Sequence, residues 1–313
     1  MHVLGETAGL LTSLFFAINA VVTTKAGAAV GSVILNRTRV VFALLYLLVL
    51  NLVLFGQPLP LAAGLTRWTW LALSGLIGLA IGDAFLFQAY LMIGPRLGSL
   101  LLSLSTVFGA LEAWVFFGES LRPGQILGIA LTLAGMIWVI LERAPRSAAP
   151  GTGLPSAAIA PGDAPAHASP LGILFGVLAG LGQATGLVFS RQGMQGAFSP
   201  ISGNVIRMLA AVLALWLVAL LQRQVGSTLR TLKANPAALR LVALAALIGP
   251  VVGVSLSLLA VQNVAVGVAS VLTSLSPIFM LPLSHFFFKE RLGWQPIAGT
   301  FVAMAGVIIL FLS

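Results

Sequence analysis

Residues 72–82, ALSGLIGLAIG, and residues 243–253, ALAALIGPVVG, open an alignment that runs without a gap to residues 139 and 310 at a constant offset of 171. About 22 of its 68 positions are identical, more than shared apolar composition produces. Matched landmarks are Gly78/Gly249, Gly82/Gly253, Ser99/Ser270, Ser103/Ser274, Glu119/Glu290, Leu121/Leu292, Gly128/Gly299 and Gly135/Gly306. The chain carries one unit twice. Upstream of the alignment, Asn36-Arg37-Thr38-Arg39 corresponds to Asn204-Val205-Ile206-Arg207, both reading Asn-x-x-Arg. That spacing puts the amide and the guanidinium on one helix face.

Composition names the solvent. A 313-residue chain that is 59% hydrophobic and 7% charged cannot hide its apolar surface in one water-soluble core, so the bilayer has to receive it. The net charge of +9 would suggest nucleic acid in a soluble protein. Here Lys and Arg sit between apolar stretches or near their ends, which is a topology signal, and no nucleic-acid partner is expected. The absence of cysteine excludes disulfides, thiol catalysis and Cys-based metal sites.

Ten apolar stretches follow one another: 6–26, 32–55, 68–93, 95–117 and 123–141, then 170–192, 199–222, 238–263, 265–288 and 294–312. Each is close to the roughly 20 residues that cross the hydrocarbon core as helix, and none shows the short alternation of a membrane barrel. The first stretch lacks a basic leader, carries Glu6 and has an internal counterpart near Leu171, so it reads as a retained span rather than a cleaved signal. Residues 142–169, rich in Pro, Ala, Gly and Ser, read as a flexible linker between a first unit, 1–141, and a second, 170–313. Five spans per unit is an odd number, which turns the second copy upside down. The expected fold is an all-α integral membrane protein of ten transmembrane helices in two inverted five-helix repeats.

The tandem five-helix units, each closing with a glutamate-leucine turn and a glycine-bearing helix, carry a resemblance. The segments are Gly118-Glu119-Ser120-Leu121 to Gly135 and Lys289-Glu290-Arg291-Leu292 to Gly306. On them the chain resembles an EamA-type transporter of the drug/metabolite transporter superfamily. The resemblance covers essentially everything outside the linker. It implies a ten-helix carrier that moves small metabolites, often outward, through a central cavity between the halves.

Ionisable groups inside spans are expensive and rarely ornamental. Asp83 lies roughly 15 Å deep by helical rise, and Arg39, entering from the same surface on a long stem, is its expected partner. Glu112 and Arg207 form a similar candidate pair toward the opposite surface. Both acids lack a counterpart in the other unit, where Val254 and Leu283 stand. Asp83, Glu112, Arg39 and Arg207 are the candidates for coupling or gating, against a plain structural reading as charge pairs. Gln88, Tyr90, Gln262 and Asn263 are the candidates for substrate contact, with Asn19, Trp114 and Gln183 as further polar groups. The Ser99, Ser103, Thr106 series and the Gly78-x-x-x-Gly82 and Gly249-x-x-x-Gly253 pairs read first as helix packing. Pro250 and Pro277 could bare backbone carbonyls.

Walker, H-E-x-x-H and G-x-S-x-G motifs are missing, so no catalytic residue, metal or cofactor is expected. The expected function is secondary transport by alternating access, exporting a small polar or amphipathic metabolite across the cell's inner (plasma) membrane. The energy source is a gradient with the proton as candidate coupling ion, and the assembly is a monomer or homodimer. An intramembrane lipid-modifying enzyme or lipid flippase is the alternative. Basic residues are concentrated on the surface opposite the termini, which taken alone puts both termini outside the cytoplasm, whereas the resemblance implies that they lie inside.

Overall fold

The computed structural model describes residues 2–117, 122–141, 169–196, 198–263, 272–290 and 293–312, with the backbone alone at 2, 113, 258, 261–263 and 311. The linker and the first glutamate-leucine turn, 118–121, lie outside the described residues. Among the described residues every regular element is a helix. In the first half these are α1 (His2–Val30), α2 (Ser32–Phe55), α3 (Leu65–Ser74), a π-helical segment (Gly75–Gly82), α4 (Asp83–Leu102), α5 (Leu104–Phe117) and α6 (Pro123–Leu141). The second half supplies α7 (Pro170–Gly193), α8 (Pro200–Leu221), the short basic α9 (Val225–Ala234) and α10 (Pro236–Ala246). A second π-helical segment (Leu247–Gly253), α11 (Val254–Asn263), α12 (Ser276–Phe288) and α13 (Trp294–Leu312) complete it.

Seven of the described helical stretches are long and apolar enough to cross a membrane, which makes this a multi-pass membrane protein. Leu104–Phe116, Ser276–Phe288 and Trp294–Leu310 are apolar but shorter. One of the seven, Leu65–Leu102, is 38 residues long, about twice what a bilayer needs. Gly94 interrupts it at φ 79, ψ 159, a conformation that a Cβ would strain, and Pro95 follows. Prolines also open α6, α7, α8 and α10, where the missing N–H has no intrahelical partner to lose.

Glycine contacts give the running directions. Along α7, Gly193 meets Leu71, Gly186 meets Gly78, Gly182 meets Gly82 and Gly172 meets Ile93, so α7 runs antiparallel to the stretch before Gly94. Beyond Gly94 the order reverses: Gly176 meets Leu101 and Gly180 meets Leu104. The chain therefore doubles back at Gly94. On the other side of the molecule Gly9 sits on Leu272 as Gly176 sits on Leu101, and Leu272 and Leu101 are repeat counterparts.

Contacts between the halves come in exchanged pairs. The helix α1 packs on α10, the second π-segment, α11 and α12; its counterpart α7 packs on α3, the first π-segment, α4 and α5. The counterparts α2 and α8 pack on each other, as do α6 and α13. In the last pair a Cβ at Gly135 would lie 2.3 Å from the Ala303 nitrogen, and one at Gly128 would lie 2.6 Å from the Leu310 nitrogen. Rising numbers on α6 thus meet falling numbers on α13, and the two run antiparallel. The four matched glycines 128, 135, 299 and 306 let these backbones touch, gaining dispersion where no hydrophobic force separates helix from lipid. Large apolar side chains such as Val49, Val53, Ile137, Leu213, Leu217 and Phe301 point outward, as a lipid-solvated bundle requires.

Candidate functional site

The polar centre is built around the first π-segment. Its wider turn closes with the Asp83 N–H bonding to the Gly78 carbonyl, five residues back. The turn also leaves carbonyls with spare acceptor capacity. The Asn36 amide on α2 donates to the Ala80 carbonyl at 3.1 Å and lies 3.4 Å from that of Leu79. Asn204 on α8 donates to the Pro250 carbonyl at 3.4 Å, and Pro250 is the repeat counterpart of Leu79. The Asn of each Asn-x-x-Arg thus serves the π-segment of its own half, satisfying groups that hydrocarbon would leave bare.

Asp83, 5% exposed, follows directly. Its Oδ2 accepts from Arg39 Nη2 on α2, as expected from depth and reach. Its Oδ1 accepts from Gln183 Nε2 on α7 at 2.7 Å, and the same amide lies 3.2 Å from the Gly78 carbonyl. The Arg39 guanidinium also stacks over the Phe87 ring, 4.8 Å from its centroid. Arg207 on α8 enters over the glycines of the π-segment: a Cβ at Gly75 would fall 2.1 Å from the Arg207 carbonyl oxygen, and one at Gly78 would fall 3.7 Å from its Nη2. Arg207 is close enough to act on Asp83 through space, while its own Nε is buried without a hydrogen-bond partner among the described residues.

Glu112 does not meet Arg207. Its Oε1 accepts from Thr185 Oγ1 at 2.6 Å across the α5–α7 seam, and its Oε2 has no partner among the described residues. Thr185 and Gln183 are two positions apart on α7, about 200° around the helix, so Glu112 and Asp83 occupy opposite faces of one helix. The Gln88 Oε1 accepts from Ser32 Oγ at 2.5 Å, near the end of the third stretch. Tyr90 is buried with its ring over Gly98, where a Cβ would lie 2.5 Å from Tyr90 Cδ1. Gln262 and Asn263 end α11, and their side chains lie outside the described residues. Ser99, Ser103 and Thr106 donate to carbonyls of their own helix, which agrees with packing. Pro277 stands in the first turn of α12 and interrupts nothing.

Two features had only faint sequence signals. Gln183 is one amide among several in the sequence; the structure singles it out because neighbouring Gly182 and Gly186 bring α7 to backbone contact with the π-segment. Glu290 forms an ion pair with Arg96, Nε to Oε2 3.0 Å, and His285 Nδ1 lies 2.9 Å from the Glu290 carbonyl. The matched glutamate thereby ties the turn after α12 to the restart of the chain beyond Gly94.

The EamA-like transporter family matches residues 3–141 and, a second time, residues 170–312. The chain belongs to the EamA-like transporter family. Each match covers one half, so Asp83 and Arg39 come from the first EamA unit and Gln183 and Arg207 from the second. An "Uncharacterized transporter" of Archaeoglobus fulgidus is 46% identical over 44 residues, 14% of this chain and 16% of that protein. The matched part is thus a small fraction of that relative's length. A solved crystal structure of a protein superposes with a TM-score of 0.57 over 98% of this chain and 94% of that chain at 20% identity, a likeness of fold alone.

Proposed function

We propose that this EamA-like protein is a secondary carrier working by alternating access, with ten spans in two inverted five-helix repeats joined by the linker 142–169. Inversion is supported by direction: α6 and α13 are repeat counterparts and run antiparallel, and so do α2 and α8, where Asn51 meets Ser202 and Arg37 meets Gln222 and Gln224. A twofold axis relating antiparallel counterparts lies across the helices, in the membrane plane. Two states of related energy then follow, each the mirror of the other in the role of its halves.

The observation that carries the mechanism is that Asp83 is held from both sides of the repeat interface. Arg39 belongs to its own half, Gln183 and Arg207 to the other. Rocking one half past the other separates these groups, and protonation of Asp83 removes the charge that draws the two guanidiniums together. Glu112 on Thr185 crosses the same interface on the far face of α7 and is the second coupling candidate. The cargo is a small polar or amphipathic metabolite, moved outward across the inner (plasma) membrane, a direction supported by the family resemblance. Gln88, Tyr90, Gln262 and Asn263 are proposed to line its path.

Metabolite exchange in reconstituted vesicles, with and without a pH gradient, tests this reading. Wild type should accumulate cargo in response to the gradient, and Asp83→Asn should exchange without responding to it. Gradient-driven accumulation by Asp83→Asn at the wild-type level removes Asp83 from coupling.

A further inference from the structure

We infer that the cargo carries a single oxyanion, a carboxylate or phosphate group, which binds Arg207 in competition with Asp83. This rests on the carrier reading and names its substrate class.

The charge count at the centre is uneven. Two guanidiniums, that of Arg39 bonded to Asp83 and that of Arg207 within electrostatic reach of it, stand against one carboxylate. Both oxygens of Asp83 are already engaged, Oδ2 by Arg39 and Oδ1 by Gln183. Asp83 is therefore already committed within the protein, and among the described residues no hydrogen bond runs from Arg207 to either of its oxygens. Arg207 keeps a buried Nε with no acceptor among the described residues. An uncompensated charge inside the hydrocarbon is costly, and the planar fork of arginine suits a two-oxygen anion. Glu112, the other candidate acid, is on the opposite face of α7 and turned to Thr185. What completes the site is a negative group from outside the chain.

Position agrees. Gly78, where a Cβ would lie 3.7 Å from Arg207 Nη2, puts no side chain against the guanidinium, while Gly75 packs on the Arg207 main chain. Arg207 comes from the half opposite Asp83, so an anion on it can draw Arg39 off Asp83 and loosen the grip that joins the halves. Cargo binding and release of the lock become one event. A neutral cargo has no such leverage, and a cationic one is repelled.

The test uses the purified full-length protein with three probes of one skeleton, benzoate, benzamide and benzylamine, and with phenyl phosphate as a second anion. Benzoate should raise the thermal unfolding midpoint in a saturable way, and the neutral and cationic probes should not. Arg207→Gln should lose the benzoate shift, Arg207→Lys should keep part of it, and Asp83→Asn should bind benzoate about tenfold tighter or more, because the competing carboxylate is gone. The Asp83→Asn gain is a readout that a purely structural Arg207 would not produce. Benzamide acting as benzoate does, no response to benzoate or phenyl phosphate at millimolar concentration, or an undiminished shift in Arg207→Gln would overturn the inference. Vesicles loaded with all three probes separate it from the carrier reading. Export of neutral or cationic probes untouched by Arg207→Gln leaves the carrier and sinks the anion site; benzoate binding at Arg207 with no probe crossing leaves the site and sinks the carrier.

Discussion

Substitutions in the central cluster should rank in an order that the charge count dictates. Asp83→Asn removes the sole anion facing Arg39 and Arg207 and leaves two unneutralised guanidiniums among Phe87, the π-segment and α7. Removing one partner of a buried pair costs about 3–5 kcal/mol. Arg39→Gln costs less, about 1–3 kcal/mol for the lost charge-assisted bond, because Arg207 and Gln183 still attend the carboxylate. Arg207→Gln leaves the Arg39–Asp83–Gln183 set intact and removes the unmatched charge, so its effect should lie within about 1 kcal/mol of zero and can be stabilising. The double variant Asp83→Asn with Arg39→Gln should be less stable than wild type by less than the two single losses combined. The assay is reversible unfolding in lipid nanodiscs, followed by tryptophan fluorescence. Arg207→Gln as damaging as Asp83→Asn would refute the reasoning, since Arg207 would then be a satisfied structural partner rather than an open one.

At the α6–α13 seam, Gly135→Leu must displace the Ala303 backbone, 2.3 Å from the new Cβ, and should lower stability by about 2 kcal/mol or more while Gly109→Leu, where nothing lies within 4 Å, changes little in the same unfolding assay. Asn36→Ala leaves the Ala80 carbonyl without its donor and should cost about 1–2 kcal/mol, with amide exchange of the π-segment rising in hydrogen-exchange mass spectrometry; unchanged exchange would show that Asn36 does not hold that turn. Shortening the linker 142–169 by half should leave vesicle exchange largely intact, and its loss would show the linker to be part of the pathway.

How far the site was legible depends on which coordinate each residue needed. Depth is readable from span ends, and it brought Asp83 and Arg39 together correctly. Azimuth is not: expected depth matches Arg207 to Glu112, yet Arg207 lies within electrostatic reach of Asp83 while Glu112 bonds Thr185 on the opposite side of α7. The π-segments add to this, because each inserts a wider turn that rotates every later residue, and nothing in GLIGLAIG announces it. Repeat glycines were more informative, since a position that must be bare in both copies marks a backbone contact; Gly128, Gly135, Gly299 and Gly306 all proved to lie at one. Polar side chains with many possible partners, such as Gln183 and Gln88, carried no such mark.

Inversion of the two halves is the claim on which the rest stands, and the sidedness of two matched loops tests it most directly. The chain has no cysteine, so a single introduced thiol reports alone. Gln57, after α2, and Ser227, in α9 after the counterpart helix α8, are both exposed. Gln57→Cys and Ser227→Cys, each probed in sealed oriented vesicles with a membrane-impermeant maleimide, should label from opposite compartments. Labelling of both from the same compartment would mean parallel halves, and the alternating-access account would fall with them.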